Sequence, residues 1–305
     1  MGAKQYVWFD GKFVEYEKAN VHVLTHSLQY GSGIFEGLRA YSTADGPAIF
    51  RLGDHMARLL NSAKIYGMDL GFTKEQLNEA AVSTVRRNRL AECYIRPFSF
   101  YNDTRIGVNP IGRKISTIIA AVNFGSYFQN KGKGISCKVS SWHRINSQIL
   151  PPQAKASGNY LNSVLASLEA KSSGADEAIM LSGDGYVAEG SGENVFLVEG
   201  NVLVTPSVSS DILPGITRDS VIKLAKGMGI DVEERKVHRE ELYTSDEVFF
   251  TGTAAEITPI IRIDSRKVGR GHPGPITMML SEGYDKAVKG ENEEFEEWLT
   301  YINKA

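Results

Sequence analysis

The sequence predicts an α+β protein with two domains. Its 305 residues exceed what one compact core usually serves, so two domains are slightly favoured over one. Strand-like apolar runs are interspersed with segments of helical periodicity. A glycine-rich stretch at residues 124–134 interrupts this pattern near the middle of the chain. We therefore predict a small N-terminal domain over 1–123, an interdomain loop over 124–134 and a larger domain over 135–305.

The N-terminal domain should begin with a β-hairpin. Strand-like runs at 6–9 and 12–14 flank Asp10-Gly11, a pair that favours a type I′ turn. A later helix opens with Thr73-x-x-Gln76, a capping-box pattern. The other elements predicted here are a helix carrying Met56, Leu59, Leu60, Ala63 and Tyr66, the capped helix carrying Leu77, Ala80, Ala81, Thr84 and Val85, and buried strands at 93–100 and 114–122.

The C-terminal domain is predicted to be richer in strands. Turn residues at 183–185 and 200–201 divide a dense series of strands over 177–205. The other predicted elements are a strand at 135–140, a helix carrying Leu161, Val164, Leu165 and Leu168, a helix at about 217–228, a strand-rich segment at 247–263 and a last helix after Pro275. No repeat or low-complexity tract is visible in the sequence.

Composition and charge exclude several classes of protein. An apolar content of 42% and a net charge of −2 are ordinary for a globular protein and give no basic surface for nucleic acid or an anionic membrane. Cys93 and Cys137 lie far apart in strand-like runs, so neither a disulfide framework nor a metal site is expected. No secretory signal is expected at the N-terminus, because no apolar region follows the first five residues, and the apolar run at 115–124 is too short and too polar to span a bilayer. A cytoplasmic location is expected.

Lys155 is the first candidate functional residue, because its neighbours are unusually small. It lies between Ala154 and Ala156, with Ser157-Gly158 following. Small neighbours leave room for a bulky planar group beside the amine, which a lysine that forms a Schiff base with a cofactor needs. A solvated loop lysine is the commoner outcome for such a sequence. The choice therefore depends on the rest of the chain.

Two segments could bind an anion such as phosphate. Residues 213–219 place Gly215 and Thr217 just before a predicted helix, where unpaired backbone N–H groups and the helix dipole favour negative charge. The plainer alternative is an ordinary helix start with Thr217 as N-cap. Residues 251–256 form a second run of small residues after a strand, which could equally be a tight turn. Arg58, on the polar side of its helix, would by itself be called solvated.

Glu189 is an acidic residue in an unusual setting. It lies between Ala188 and Gly190 at the end of a strand, where neither glutamate nor glycine is favoured. If it is buried it must be paired, and a pyridinium N–H would be a suitable partner. The alternative is an exposed residue at a strand edge.

Two other patterns are not expected to carry function. The glycines at 31, 33 and 37 resemble a dinucleotide-binding loop, but they do not follow an apolar strand and their last spacing is too long. His22 and His26 have helical spacing without a third ligand, so structural histidines are expected and no metal site is predicted.

The chain resembles the branched-chain amino acid aminotransferases, within the class IV, fold-type IV enzymes that use pyridoxal 5′-phosphate. Seven blocks occur in the family's order along nearly the whole chain, which chance does not explain. The blocks are Tyr6-Val7-Trp8-Phe9-Asp10-Gly11, Tyr30-Gly31-x-x-x-Phe35-Glu36-Gly37-x-Arg39, Tyr94-Ile95-Arg96-Pro97, Lys155-x-x-Gly158-Asn159-Tyr160, Glu189-Gly190-x-Gly192-Glu193-Asn194, Leu213-Pro214-Gly215-Ile216-Thr217-Arg218 and Gly252-Thr253-Ala254-Ala255-Glu256. The resemblance implies a barrel-like larger domain.

The resemblance also implies how the cofactor is held. Lys155 would be catalytic, carrying the cofactor as an internal aldimine and moving a proton once displaced. Glu189 would pair with the pyridine nitrogen and Tyr160 with the phenolic oxygen. The residues implied for the phosphate are Arg58, Ile216, Thr217 and Thr253.

Substrate residues follow from the same resemblance. Tyr94 with the amides of Thr253 and Ala254 would hold the substrate α-carboxylate. The side-chain pocket would contain Tyr30, Phe35, Gly37, Arg96 and Tyr127. It must bury Leu, Ile or Val and also accept the second carboxylate of glutamate or 2-oxoglutarate, which Arg96 and the two tyrosine hydroxyls could bind. Phe124 departs from the bacterial relatives, where a tryptophan stands, and could alter substrate preference or the packing of the loop.

The implied reaction is a ping-pong transamination between branched-chain L-amino acids and 2-oxoglutarate, giving L-glutamate and branched-chain 2-oxo acids. In this family the active site lies between the domains and a second subunit completes it. The segment around Val108 would reach that neighbour. A homodimer is the minimum expected, and some relatives are trimers of dimers, which are hexamers.

Other functions remain open at this point. D-amino-acid aminotransferases and aminodeoxychorismate lyases share the fold, the lysine, the glutamate and the block at 213–218. R-selective amine transaminase activity is a further alternative within this fold, or a side reaction. The blocks at 94–97 and 252–256 favour the branched-chain enzymes. A phosphate-ligand-binding or scaffold protein with an inactive site is the alternative from another class, and the intact Lys155 and Glu189 argue against it.

Overall fold

The computed structural model describes residues 4–125, 127–128 and 131–303, and the chain divides into two compact units. The first unit comprises Met1–Gly125, Ala154–Gly158 and Ala287–Ala305, and the second comprises Ser126–Gln153 and Asn159–Lys286. The predicted interdomain loop contains residues 126, 129 and 130, which lie outside the described residues. Residues 1–3, on which the expectation of no secretory signal partly rests, also lie outside them.

The units differ from the predicted domains in two segments, which belong to the first unit although they follow residue 134. Ala154–Gly158 joins it because the N–H of Phe35 donates to the Lys155 carbonyl at 2.9 Å and Ala156 bridges to Ile34. Residues 287–305 join it because they end in a strand that pairs with residues 48–50. Hydrogen bonds between distant parts of the sequence set these boundaries, and local composition does not reveal them.

The helices of both units are short. No helix among the described residues is both long enough and apolar enough to cross a membrane. The α-helices are α1 (His26–Tyr30), α2 (Leu52–Ile65), α3 (Lys74–Asn88), α4 (Tyr160–Ser172), α5 (Ile216–Gly227), α6 (Glu241–Thr244) and α7 (Pro275–Val288), and the 3₁₀ helices are Tyr16–Lys18, Lys131–Lys133, Ser157–Asn159, Val208–Ser210 and Glu293–Trp298.

The first unit contains an open, antiparallel sheet of eight strands. Its strands are β1 (Tyr6–Phe9), β2 (Lys12–Glu15), β3 (Gly33–Phe35), β4 (Leu38–Tyr41), β5 (Ala48–Phe50), β6 (Cys93–Tyr101), β7 (Ile115–Val122) and β17 (Leu299–Tyr301). Their order is β17-β5-β4-β6-β7-β1-β2, and β3 pairs with β6. Helices α2 and α3 pack on this sheet around a core that includes Leu38, Met56, Leu59, Leu77 and Ile95.

Two local predictions in this unit are confirmed. The turn between β1 and β2 has positive φ at both Asp10 and Gly11, as a type I′ turn requires. The capping box of α3 is complete. The Thr73 hydroxyl accepts from the Gln76 N–H at 3.3 Å, and the Gln76 side chain accepts from the Thr73 N–H at 2.8 Å.

The second unit is built around a closed ring of strands. Its strands are β8 (Ile135–Val139), β9 (Glu177–Leu181), β10 (Val187–Gly190), β11 (Asn194–Glu199), β12 (Val202–Pro206), β13 (Asp231–Arg235), β14 (Glu247–Gly252), β15 (Glu256–Ile263) and β16 (Arg266–Lys267). Six of them follow the order β10-β9-β8-β15-β14-β11, and β11 pairs again with β10, which closes a barrel. The predicted fold class, α+β with a barrel-like larger part, is confirmed.

Helix α4 packs on the barrel through small residues. The predicted helix is present, but its large apolar side chains at Leu161, Val164, Leu165 and Leu168 are exposed, Leu161 by 68%. Ala166 and Ala170 on the opposite face are buried against Ala178 and Met180 of β9. Apolar spacing correctly predicted the helix, while the face that packs is the one with small side chains.

Candidate functional site

Lys155 lies in an extended segment of the first unit whose backbone is fixed. Its N–H donates to the Ser62 hydroxyl at 3.1 Å, and its carbonyl accepts from the N–H of Phe35. The flanking Ala154 and Ala156 are buried, and the Lys155 amine lies 5.3 Å from the centre of the Phe35 ring. The side chains of the two alanines are therefore buried, and Lys155 between them is half-buried on a fixed backbone.

Arg58 belongs to a buried charge cluster that the sequence did not reveal. It donates from Nε to Glu36 Oε1 at 2.6 Å and from Nη2 to Oε2 at 2.8 Å, so the pair is bidentate. His55, one helical turn before Arg58 in α2, contacts Glu36 Oε2 through Nδ1 at 2.7 Å. Arg58 is therefore not the solvated residue that its position alone suggested.

The protonation states in this cluster follow from burial and charge. Burial by itself would raise the pKa of Glu36, but the charge and hydrogen bonds of Arg58, and then of His55, outweigh it, so the pKa lies below its usual value. Burial lowers the pKa of His55 in spite of the Glu36 carboxylate. The cluster thus consists of an ionised Glu36, a charged Arg58 and a neutral His55.

Four of the predicted substrate residues come together in the first unit. The Arg96 guanidinium lies 4.7 Å from the Phe35 ring centre and donates to the Tyr94 hydroxyl at 3.2 Å. A Cβ at Gly37 would collide with that hydroxyl, so only glycine permits this approach. Phe124 packs on Tyr94 with ring centres 4.8 Å apart. Phe124, at which the resemblance implied a departure, therefore touches this group directly.

Val108 belongs to an exposed loop of the same unit, and Tyr30 contacts that loop. The Gly107 N–H donates to the Tyr30 hydroxyl at 3.3 Å, and His26 contacts the Val108 carbonyl at 3.1 Å. His26 also contacts the Ser32 hydroxyl at 2.6 Å, so this histidine has protein partners. The Val108 side chain is 73% exposed.

The glycine run at 31–37 does not have the context of a dinucleotide-binding loop. Gly31 ends α1 with positive φ, and β3 begins at Gly33. A short helix thus precedes a strand here, whereas a dinucleotide loop joins a strand to a following helix. The described residues also contain no group of three or more His, Cys, Asp or Glu side chains that could hold a metal ion.

Glu189 is a buried carboxylate of the second unit. It is 5% exposed, so it is not an exposed edge residue. Its Oε1 accepts from Arg144 Nε at 2.7 Å, and its Oε2 accepts from Asn194 Nδ2 and the Leu213 N–H, each at 3.1 Å. Arg144, which sequence patterns did not single out, is therefore a charged partner of Glu189.

The first candidate anion site of this unit is the start of α5. The helix begins at Ile216 with Gly215 as N-cap, so the alternative that Thr217 is the N-cap is wrong. A Cβ at Gly215 would collide with the side-chain oxygen of Asn194, which explains why glycine occupies the cap. Ile216 and Thr217 are the first two helical residues, where backbone N–H groups have no partner within the helix.

The second candidate site is the hairpin turn between β14 and β15. Residues 253–255 form the turn, because Gly252 and Glu256 pair across it. Thr253 and Ala254 are half-buried. Glu189, Asn194 and Thr251 are cross-strand partners in β10, β11 and β14 and so share one face of the barrel. The Thr251 hydroxyl is buried without a hydrogen-bond partner among the described residues.

The two remaining predicted residues also belong to the second unit. Tyr160 is the first residue of α4 and is half-buried. Tyr127 is 45% exposed, and its ring centre is 4.7 Å from that of Phe128. The predicted site residues thus form two sets, one in each unit.

The sequence signals for the missed residues were weak. Glu36 lies in the glycine run that resembled a dinucleotide loop, and its burial could not be inferred from flanking residues. His55 and Arg58 are three residues apart, which places them on one helix face, and this was the one available indication. Arg144 follows Trp142-His143 in an irregular segment, where no periodicity applies.

Comparison with known proteins gives a consistent result. Residues 33–263 match the family described as amino-transferase class IV. A branched-chain-amino-acid aminotransferase of Pseudomonas aeruginosa is 46% identical over 298 residues, covering 97% of this chain and 97% of that protein.

Solved structures agree with the sequence relatives. A branched-chain aminotransferase of Thermoproteus uzoniensis, crystallised with norvaline, has a TM-score of 0.94 and 48% identity, covering 98% of this chain and 100% of that one. A branched-chain amino acid aminotransferase from T.th., complexed with N-(5′-phosphopyridoxyl)-L-glutamate, has a TM-score of 0.94 and 47% identity, covering 98% of this chain and 99% of that one.

Proposed function

The chain belongs to the class IV aminotransferases, and we propose that it exchanges amino groups between branched-chain L-amino acids and 2-oxoglutarate. One observation carries this proposal. Lys155 is half-buried and Glu189 is buried. Both occur in a chain that aligns over nearly its full length with a branched-chain-amino-acid aminotransferase. A cytoplasmic location stays a prediction from the sequence.

The residues present fit pyridoxal 5′-phosphate, the cofactor of this family. The set of donors has the required chemistry: an amine for the aldehyde, a carboxylate for the ring nitrogen and cationic or N–H groups for the phosphate. The residues that would hold it are Lys155, Glu189, Tyr160, Arg58, Ile216, Thr217 and Thr253. The free N–H groups at the start of α5 supply anion donors that the helix itself does not use.

The cofactor, when bound, supplies an electron sink for the α carbon of the amino acid. Lys155 would bind it covalently, and once the amino group of the substrate had displaced Nζ, the freed amine would take the proton from that α carbon as a general base. The backbone hydrogen bonds of Lys155 keep its Cα fixed, so only the side chain needs to move. Glu189 would hold a proton on the ring nitrogen, and Tyr160 would hydrogen-bond the phenolic oxygen.

The substrate pocket that we propose must bind two kinds of side chain. Burying a Leu, Ile or Val side chain against Phe35 and the other aromatic residues contributes about 1.5–3 kcal/mol. Arg96, with the hydroxyls of Tyr30 and Tyr127, would bind the second carboxylate of glutamate. The contact of Arg96 with the Phe35 ring supports this dual role, because it keeps the cation beside an apolar surface. Tyr94, Thr253 and Ala254 would bind the α-carboxylate, and Gly37 leaves room for Tyr94.

We also propose that the enzyme is at least a homodimer, completed by the loop around Val108. Arg113, whose side chain is 6% exposed, braces this loop through Asp103 at 3.0 Å and the Gly107 carbonyl at 2.8 Å. The loop nevertheless exposes Ile106, Val108 and Ile111. An ordered loop with exposed apolar side chains supports a binding partner, and a second copy of the chain is the one we infer. Val108→Asp should then weaken association in sedimentation experiments.

A half-reaction panel tests the activity. The protein loaded with cofactor would be titrated with L-Leu, L-Glu, D-Ala and an R-amine while its visible absorbance is followed. Loss of absorbance with L-Leu and L-Glu is expected. Reaction with D-Ala but not L-Leu would instead favour a D-amino-acid aminotransferase of the same fold.

Lys155→Ala tests the role of the lysine. The variant should lose the visible absorbance that marks covalent attachment and should lose turnover. The control is Lys223→Ala, an exposed lysine on α5, which should keep both properties. A colourless parent protein, or transamination by Lys155→Ala at the parent rate, would contradict the proposal.

A further inference from the structure

Arg144 is held rigidly beside Glu189. Its backbone N–H donates to the Leu181 carbonyl at the end of β9 at 2.7 Å, and its side chain is 7% exposed. The adjacent His143 contacts the Ser182 carbonyl at 2.8 Å, so the segment is anchored at two points. These contacts leave the guanidinium little freedom, and its Nε lies 2.7 Å from Glu189 Oε1.

The ion pair is poorly explained by stability. Two charges have been removed from water, which costs several kcal/mol per ion before attraction and hydrogen bonds offset it. Arg144 Nη1 is buried and has no hydrogen-bond partner among the described residues, so part of that cost is not offset. Asn194 and the Leu213 N–H already provide two hydrogen bonds to the carboxylate. Arg144 adds a third hydrogen bond, to Oε1, and it adds a positive charge.

A nearby positive charge decides where a shared proton resides. A carboxylate and a pyridine nitrogen compete for one proton, which rests on the more basic of the two. Burial makes a carboxylate more basic, and an adjacent guanidinium makes it less so. Without Arg144, the proton would pass from the ring nitrogen to Glu189 and the ring would withdraw electrons less strongly.

We propose that Arg144 is a positioning residue that keeps Glu189 ionised, so that the proton shared with the cofactor stays on the pyridine nitrogen. This role rests on the proposed function, in which Glu189 pairs with that nitrogen. Arg144 also influences a second acidic group, Asp211, which lies two residues before Leu213. Burial raises the pKa of Asp211 and Asp184 adds to this, whereas Arg144 and Lys236 lower it. Asp211 must therefore be distinguished from Glu189 in any titration.

The test uses infrared spectra of the full chain labelled with ¹³C at glutamate carboxyl groups, recorded against pH without cofactor. The label separates glutamate from Asp211, and subtraction of the Glu189→Gln spectrum isolates Glu189. Three variants are compared with the parent. Arg144→Gln keeps a hydrogen-bond donor without charge, Arg144→Lys keeps the charge, and Arg270→Gln is an exposed control in the same unit.

The parent gives the reference, which is the protonation midpoint of Glu189 or the lowest pH at which the folded protein still keeps it ionised. In Arg144→Gln its protonation midpoint should rise by about 1–3 pH units, the effect of removing an adjacent opposite charge. Arg144→Lys should shift it less, and Arg270→Gln should match the parent. A parent-like titration of Arg144→Gln overturns the proposal. If Arg144→Gln does not fold, Arg144→Met, which replaces the guanidinium by an uncharged chain of similar length, is titrated instead, and a parent-like titration of that variant overturns the proposal.

A second measurement separates this inference from the proposed function. Protein loaded with pyridoxal phosphate labelled with ¹⁵N in the ring should show a protonated nitrogen in the parent and a partly neutral one in Arg144→Gln. The role proposed for Glu189 fails if the parent does not bind the cofactor or binds it with a neutral ring nitrogen. In that case the infrared titration still decides whether Arg144 keeps Glu189 ionised. If the nitrogen stays fully protonated in Arg144→Gln, the role of Arg144 is refuted and that of Glu189 stands.

Discussion

Glu36→Ala should lower the free energy of unfolding of the first unit by about 3–5 kcal/mol, the usual cost of removing one partner from a buried ion pair. The carboxylate is completely buried and accepts from Arg58 and contacts His55. Three charged hydrogen bonds at about 1.5–3 kcal/mol each would together reach values mostly above this range, but burial of the charges has already offset part of that sum. Arg58 retains some contact with solvent, so the lower end is expected.

Urea unfolding followed by tryptophan fluorescence measures this loss. Trp8 and Trp298 are buried in the first unit, and replacing Trp142 of the second unit by Phe leaves a signal from the first unit alone. Glu17→Ala, at an exposed glutamate of the same unit, is the matched control and should change stability by no more than about 0.5 kcal/mol. A loss in Glu36→Ala as small as in this control would refute the reasoning.

The same cluster predicts an acid-sensitive first unit. Both Glu36 and His55 have a lowered pKa in the folded state. Each therefore stabilises the folded state fully at a pH above the pKa that it has in the unfolded chain. That contribution is lost as pH falls. The loss from His55 begins below its unfolded pKa of about 6.5, and that from Glu36 below about 4.3. Stability measured from pH 8 downward should therefore decline before ordinary carboxylates titrate, and His55→Asn should remove the earlier part of the decline.

Three further substitutions have definite expected effects. Gly37→Ala should raise KM for L-Leu and for L-Glu, because a Cβ would displace the Tyr94 hydroxyl, and it should leave the absorbance of the bound cofactor intact. An unchanged KM in steady-state kinetics would contradict this. Thr73→Ala should cost about 0.5–2 kcal/mol in urea unfolding through loss of the α3 cap, whereas Thr73→Ser should cost less. Gly215→Ala should weaken pyridoxal phosphate binding, measured by equilibrium dialysis, because Asn194 blocks the added methyl group.

Local patterns predicted local structure well. The Asp10-Gly11 turn and the Thr73 capping box depend on a few adjacent residues, so their sequences are sufficient. Long-range pairing was less accessible. The pairing of β17 with β5 and the place of residues 154–158 in the first unit depend on hydrogen bonds between residues far apart in the sequence. Helix α4 shows a related limit, since periodicity finds an apolar face but not whether this protein or a partner covers it.

The candidate site follows the same division. Lys155 and Glu189 were noticed because small residues flank them, which is a local property, and family motifs then supplied their implied roles. Glu36 and Arg144 were missed because what distinguishes them is burial next to a charge of opposite sign, and that charge comes from a distant segment. A sequence pattern can indicate the group that reacts. It is less informative about the groups that hold the reacting group in place.

The division of the chain has a consequence for how the protein is made. The first unit is assembled from three separate stretches, the last of which, residues 287–305, contains its edge strand β17. A ribosome releases residues 1–125 long before it produces that strand, so the unit cannot finish folding at that stage, unlike a contiguous domain. The nascent chain must keep the edge of β5 from pairing elsewhere until β17 emerges.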